Sequence, residues 1–170
     1  ATLCARGMTD LAEAKGLLSS GEDQLQDPFL MKDMDLATAR IGRALRNGEK
    51  IAVYGDYDVD GITSTCLLTH YLRAQGGDVC YYIPNRLSEG YGVNREAVEE
   101  LARQGVRLMI TVDCGITAVE EVAYASGLGI DVIITDHHEC KEEIPAAVAV
   151  VDPHRKDCPY PFKDLAGVGV

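Results

Sequence analysis

A chain of 170 residues is long enough to bury one sizeable core, and 46% hydrophobic with 25% charged residues and only six prolines excludes a disordered or collagen-like polymer. No run approaches the ~18 apolar residues of a membrane span, and residues 1–8 lack the charged start and apolar stretch of a signal peptide, so a cytoplasmic protein is expected. The net charge of −11 argues against a surface that is basic throughout, and so against a nucleic-acid cradle unless its groove is local or its acidic groups are neutralised by cations.

The first third is helical in pattern. Thr9 can cap a helix over residues 10–19, and Asp27-Pro28 then breaks the chain. A second helix is expected over about 36–46, with Ile41 and Leu45 on one face and Asn47-Gly48 ending it. Residues 1–48 thus read as a helical lead and 49–170 as the main domain. Four short β-branched runs follow at 51–54, 79–83, 108–112 and 132–135, with a weaker fifth at 147–151. Between them lie helical patterns at 62–75, closed by Gly76-Gly77, at 94–104, closed by Gly105, and at 117–126, closed by Gly127. Asn94 and Thr117 are natural N-caps, and Ala97, Val98, Leu101 and Ala102 make one apolar stripe. Strand and helix alternating in this way predict an α/β fold: a doubly wound, mostly parallel sheet with helices on both faces. The last run, Leu165-Ala-Gly-Val-Gly-Val170, has the look of another helix beginning and no stop signal, so a truncated chain is expected.

In an open parallel sheet the ligand crevice lies outside the carboxyl ends of the strands. Asp56, Asp58 and Asp60 follow the first run, Asp113 the third, and Asp136, His137 and His138 the fourth. A lone aspartate after a strand is ordinarily a turn residue or a cap, but three such strand ends on one rim call for another explanation. Carboxylates packed together repel and raise one another's pKa, so cations are expected among them. Oxygen ligands with one or two imidazoles suit Mn²⁺ or Mg²⁺.

Competing motifs fail on detail. The stretch from Asp56 to Gly61 opens like an EF-hand loop, yet position twelve is Leu67 and a strand precedes it. Gly90-Tyr91-Gly92 does not follow a strand directly as a dinucleotide fingerprint would, and neither a P-loop nor a G-x-S-x-G elbow around Ser64 or Ser88 occurs. The six cysteines, Cys4, Cys66, Cys80, Cys114, Cys140 and Cys158, contain no C-x-x-C pair and read as free thiols in a reducing compartment. Cys114 and Cys140 are treated as bystanders, and His70 and His154 as residues without chemistry.

Gly55-Asp56-Tyr57-Asp58-Val59-Asp60-Gly61, Thr111-Val112-Asp113-Cys114-Gly115 and Thr135-Asp136-His137-His138 resemble, in order and spacing, the first three signatures of the DHH phosphoesterases. Pro84-Asn85-Arg86 with Glu89-Gly90-Tyr91-Gly92, and the stretch from Tyr160 to Val170, are similar to the RecJ exonuclease branch. That resemblance implies a two-ion Mn²⁺ or Mg²⁺ site with Asp58, Asp60, Asp113 and His137 as ligands, Asp113 bridging, and Asp56 as a ligand or a partner behind one. It implies further that Asp136 orients the histidines, that His138 contacts the scissile phosphate or supplies a proton, and that Arg86 contacts phosphate. The implied activity is in-line hydrolysis of single-stranded DNA from its 5′ end to nucleoside monophosphates, in DNA repair and recombination, with a helicase or a single-strand-binding protein as partner. A small-substrate phosphoesterase and a non-catalytic scaffold are the rival readings. The helical lead with Pro84-Asn85-Arg86 and Glu89-Gly90-Tyr91-Gly92 speaks against the first, and Tyr54, standing where the family's manganese pyrophosphatases have a histidine, weakens its pyrophosphatase form; the retained carboxylate cluster argues against the second. The family's fourth motif and second domain would follow Val170, so this chain alone is not expected to complete both ion sites, and Asp152 is not assigned the fourth role.

Overall fold

In the computed structural model, residues 4, 7, 9–18, 25–85 and 90–170 are described. Helix α1 (Leu11–Leu18) is followed by a 3-10 turn (Pro28–Leu30) and by α2 (Met34–Asn47). Gly48, at φ 63°, ends α2 in the left-handed conformation that glycine adopts without a Cβ clash, and its N–H donates back to Ala44 and Leu45 carbonyls. Then come β1 (Lys50–Tyr54), α3 (Val59–Ala74), β2 (Val79–Tyr82), α4 (Arg95–Arg103), β3 (Val106–Val112), α5 (Val119–Gly127), β4 (Asp131–Thr135), β5 (Ala149–Val151) and a 3-10 turn (Gly167–Gly169). Among the described residues no helix is long and apolar enough to cross a membrane.

The strands form one parallel sheet in the order β2-β1-β3-β4-β5. Because side chains alternate faces along a strand, each run is apolar on both sides and feeds two cores. Ala52, Tyr54, Met109 and Ile134 pack against Ala97, Val98 and Leu101 of α4 and Val122 and Ala125 of α5. Ile51, Val53, Leu108, Ile110 and Ile133 pack on the other face, against Ala37 and Ala44 of α2 and Leu72 of α3. Each fully buried isoleucine or leucine stabilises the fold by roughly 1.5–3 kcal/mol. α2 is tied down by Arg40, 6% exposed, whose guanidinium lies 2.6 Å from Glu49 and 2.6 Å from Asp131.

The chain runs from β1 outward to β2, then crosses back to β3 on the other side of β1. This reversal leaves a crevice at the carboxyl ends of β1 and β3, where a doubly wound sheet holds its ligand. Three local expectations change. α5 starts at Val119 with Ala118 at the cap position and no side-chain cap, so Thr117 does not cap it. The preceding loop is instead held by the site, since Ile116 N–H donates to Asp136 Oδ2 at 2.9 Å. Gly127 is the last residue of α5 and Gly129, at φ 79°, makes the turn after it. The final apolar run folds as the 3-10 turn, with Gly169 N–H donating to the Ala166 carbonyl at 2.7 Å.

Candidate metal centre

The β1–α3 connection is shaped by its two glycines. A Cβ on Gly55 would stand 2.0 Å from Thr65 Oγ1, and one on Gly61 would stand 2.4 Å from the Asp56 carbonyl oxygen, so the turn closes only without side chains there. Asp58 caps α3, accepting the Gly61 N–H at 2.9 Å. That backbone hydrogen bond holds the Asp58 carboxyl below the usual carboxylate range, so it is charged at neutral pH. Asp56 is buried beside it, 3% exposed.

Asp113 leaves β3 at φ 60°, a left-handed conformation that costs a non-glycine residue about 1 kcal/mol, and its N–H donates to the Thr135 carbonyl at 3.0 Å. Its carboxylate is 1% exposed, and among the described residues neither oxygen receives a backbone N–H; its polar neighbours are the Asp58 carboxyl and His137 Nε2. Burial, and then the charge of Asp58 beside it, push its pKa up to about 7. Asp56, Asp58 and Asp113 each bring a carboxylate oxygen within 4.8 Å of the others. Asp113 also converges with His137 and His138 within the same 4.8 Å limit, so it is shared by both groups.

His137 Nε2 lies 3.1 Å from Asp113 Oδ1, while Nδ1 lies 2.9 Å from the Leu165 carbonyl oxygen. Asp136, 1% exposed, is fully engaged: Oδ2 accepts from Ile116 N–H, and Oδ1 accepts from His137 N–H at 2.7 Å, from His138 N–H at 3.2 Å and from His138 Nδ1 at 2.7 Å. Burial alone would lower the His138 imidazole, but the hydrogen bond to Asp136 and its charge outweigh that and hold its pKa above the ordinary value. His138 Nε2 faces the Tyr91 hydroxyl at 3.5 Å, on the wall of a cavity of about 380 Å³ that Gly115, Thr117 and Glu121 also line.

Asp60 stands apart from both converging groups; its Oδ2 accepts the Gly167 N–H at 2.9 Å. Arg86 lies outside the described residues. His70 is exposed, and His154 N–H donates to Asp152 Oδ1 in a tight turn. All six cysteines are free thiols, and burial pushes the Cys114 thiol well above its ordinary value, which leaves it without thiolate character. Sequence reasoning missed Leu165, Gly167 and Tyr91. Leu165 acts through its carbonyl, which leaves no residue-type signal, whereas the glycine at 167 and the aromatic between two glycines at 90–92 are cues whose roles appear only in the fold.

The profile of the DHH family, N-terminal domain, matches residues 50–170. The chain belongs to this family. It is 48% identical over 168 residues to the single-stranded-DNA-specific exonuclease RecJ of Bacillus subtilis (strain 168), an alignment that covers 99% of this chain and 21% of that protein. A crystal structure of exonuclease RecJ bound to manganese superposes with a TM-score of 0.78 at 40% identity, covering 86% of this chain and 37% of the other. RecJ from Thermus thermophilus in complex with Mn²⁺ gives 0.74 at 34% identity, over 99% of this chain and 22% of that one. The DHH domain of this chain therefore has the α/β architecture of those enzymes, and the chain spans between 18% and 28% of the length of the curated RecJ relatives it matches.

Proposed function

We propose that the chain is the metal-binding part of a single-stranded-DNA-specific exonuclease, which hydrolyses phosphodiester bonds from the 5′ end with Mn²⁺ or Mg²⁺ and releases nucleoside monophosphates. The observation that carries this reading is Asp113: a buried carboxylate that receives no backbone N–H among the described residues, ringed by Asp56, Asp58 and His137 at the sheet's switch point. An arrangement so costly to bury fits a divalent cation, and its oxygen-rich donor set with imidazole fits Mn²⁺ or Mg²⁺. Relatives named single-stranded-DNA-specific exonuclease, and RecJ structures holding Mn²⁺ or Mg²⁺, support the same assignment.

In this reading Asp56, Asp58, Asp113 and His137 Nε2 hold the ions, and Asp60 joins them through the oxygen not committed to Gly167. Two divalent cations held there would supply positive charge for the scissile phosphate and a lowered pKa for water. Asp136 keeps the His138 ring aimed through its bond to Nδ1, leaving Nε2 on the cavity side to hold or deliver a proton. Arg86 steadies a substrate phosphate. Residues 1–48 serve as a lead whose second helix packs on the sheet, and 49–170 as the DHH domain. The protein works in the cytoplasm beside a helicase or a single-strand-binding protein, in DNA repair and recombination.

The test is Mn²⁺-dependent digestion of 5′-labelled single-stranded and duplex DNA by a chimera that joins this chain to the remainder of the Bacillus subtilis relative, with Asp113→Ala as control. Mononucleotides released from single strands alone, and lost in the control, support the reading. Turnover of pyrophosphate or dinucleotides but not DNA favours a small-substrate phosphoesterase, and no turnover of any phosphoester leaves a scaffold.

A further inference from the structure

Two residues near the end of the chain, Leu165 and Gly167, touch three of the proposed ligands. The Leu165 carbonyl sits 2.9 Å from His137 Nδ1, and the Gly167 N–H donates to Asp60 Oδ2 at 2.9 Å. On its other side Gly167 is pressed against Asp113: a Cβ built there would stand 2.2 Å from Asp113 Oδ1, 2.7 Å from Cγ and 3.0 Å from Cβ. The segment is anchored at both ends of this contact. Before it, Tyr160 and Cys158 lie in the core under α2 and α3, and Lys163 Nζ donates to the Cys158 carbonyl at 2.7 Å; after it, the Gly167–Gly169 turn packs on α3.

We infer that the segment 165–167 is a strap that sets the metal centre, with Leu165 and Gly167 as positioning residues, an inference that rests on the metal-centre reading above. A carbonyl oxygen can only accept, so the contact favours a proton on His137 Nδ1, against the pull of the Asp113 carboxylate on Nε2, and leaves Nε2 to offer its lone pair once Asp113 is protonated or a cation lies between them. In a free imidazole the two nitrogens compete for the proton, and the strap biases that competition toward Nδ1 before an ion arrives. Gly167 acts by bulk and by its donor. Its bare Cα fixes how far the Asp113 carboxylate can swing, since Asp113 is buried and its backbone is already in the left-handed region. Its N–H engages one oxygen of Asp60 and so turns the other outward. One stretch of backbone thereby coordinates the aim of donors from β1–α3, β3 and β4. Glycine is required at 167 for space, and its neighbour two positions on is not: a Cβ on Gly169 would meet Leu165 Cδ2 at an ordinary 3.4 Å.

The decisive comparison is Mn²⁺ affinity, by titration calorimetry, of the unaltered chain, Gly167→Ala and Gly169→Ala, with circular dichroism and melting of each metal-free protein alongside. Gly167→Ala is expected to weaken Mn²⁺ binding by roughly ten- to a hundredfold, the usual cost of losing a group that orients a ligand, while Gly169→Ala stays within about twofold. Binding by a folded Gly167→Ala at the unaltered affinity overturns the strap. Should Gly167→Ala fail to fold, nitrogen-15 spectra of His137 in the unaltered metal-free chain at about pH 8 decide instead: a neutral ring protonated at Nδ1 supports the strap, and one protonated at Nε2 overturns it. If the unaltered chain binds no Mn²⁺, the metal-centre reading itself falls, an outcome distinct from a strap failure in a chain that binds.

Discussion

Lowering the pH from 8 to 6 should weaken Mn²⁺ binding about tenfold through Asp113 alone. The carboxyl titrates at about 7 in the folded, metal-free chain against an ordinary 3.8. Between those values the folded state holds a proton that the unfolded chain has lost. The stability it contributes is therefore fully present below the ordinary value and disappears as the pH rises through about 7. A cation needs the carboxylate, so at pH 6 binding must expel that proton, whereas at pH 8 it is already gone. Because His138 titrates in the same direction, the measurement is best made on His138→Gln, by calorimetry in two buffers of different ionisation enthalpy. About one proton should be released per site at the lower pH and almost none at the higher. Asp113→Asn, which keeps the shape and tolerates the left-handed backbone, should abolish the binding and raise the melting temperature of the metal-free chain more at pH 8 than at pH 5. The rise is roughly 2–4 °C for each kcal/mol of repulsion relieved. Affinity that is flat across this range, or an Asp113→Asn variant equally destabilised at both pH values, would refute the reasoning.

Other perturbations separate the site from its scaffold. Asp136→Asn removes the charge that sustains His138, so the His138 pKa followed by NMR titration should fall; an unchanged value would show that Asp136 does not tune it. Gly55→Ala forces a Cβ to within 2.0 Å of Thr65 Oγ1 and should cost about 1–3 kcal/mol in urea unfolding. Arg40→Ala strips the ties from α2 to Glu49 and Asp131 and should cost about 1–3 kcal/mol, while Arg43→Ala, at an exposed rim of the same network, should stay within about 0.5 kcal/mol.

The sheet was legible because its strands are short, β-branched and apolar on both faces, a pattern that few other elements can satisfy; 108–112, for example, lies wholly inside β3 (Val106–Val112). The rim of aspartates followed from the rule that parallel sheets bind ligands at their carboxyl ends, and Asp56, Asp58, Asp113 and His137 do meet there. Thr117 misled because capping propensity is local, whereas the loop from Gly115 to Ala118 is pinned from a distance by Asp136. The Leu165 carbonyl was invisible for a different reason, since main-chain atoms carry no residue identity, and the glycine at 167 carried no role until the closed fold brought it against Asp113. Asp60, two residues from Asp58, has one oxygen on the Gly167 amide, a main-chain partner that motif spacing could not name.

Anomalous diffraction at the manganese edge, from crystals of the chain grown with Mn²⁺, tests the central claim most directly. A peak bonded to Asp113 and to His137 Nε2 in the crevice between β1 and β3 is expected; no peak there, or one held by other residues, would contradict the proposed metal centre.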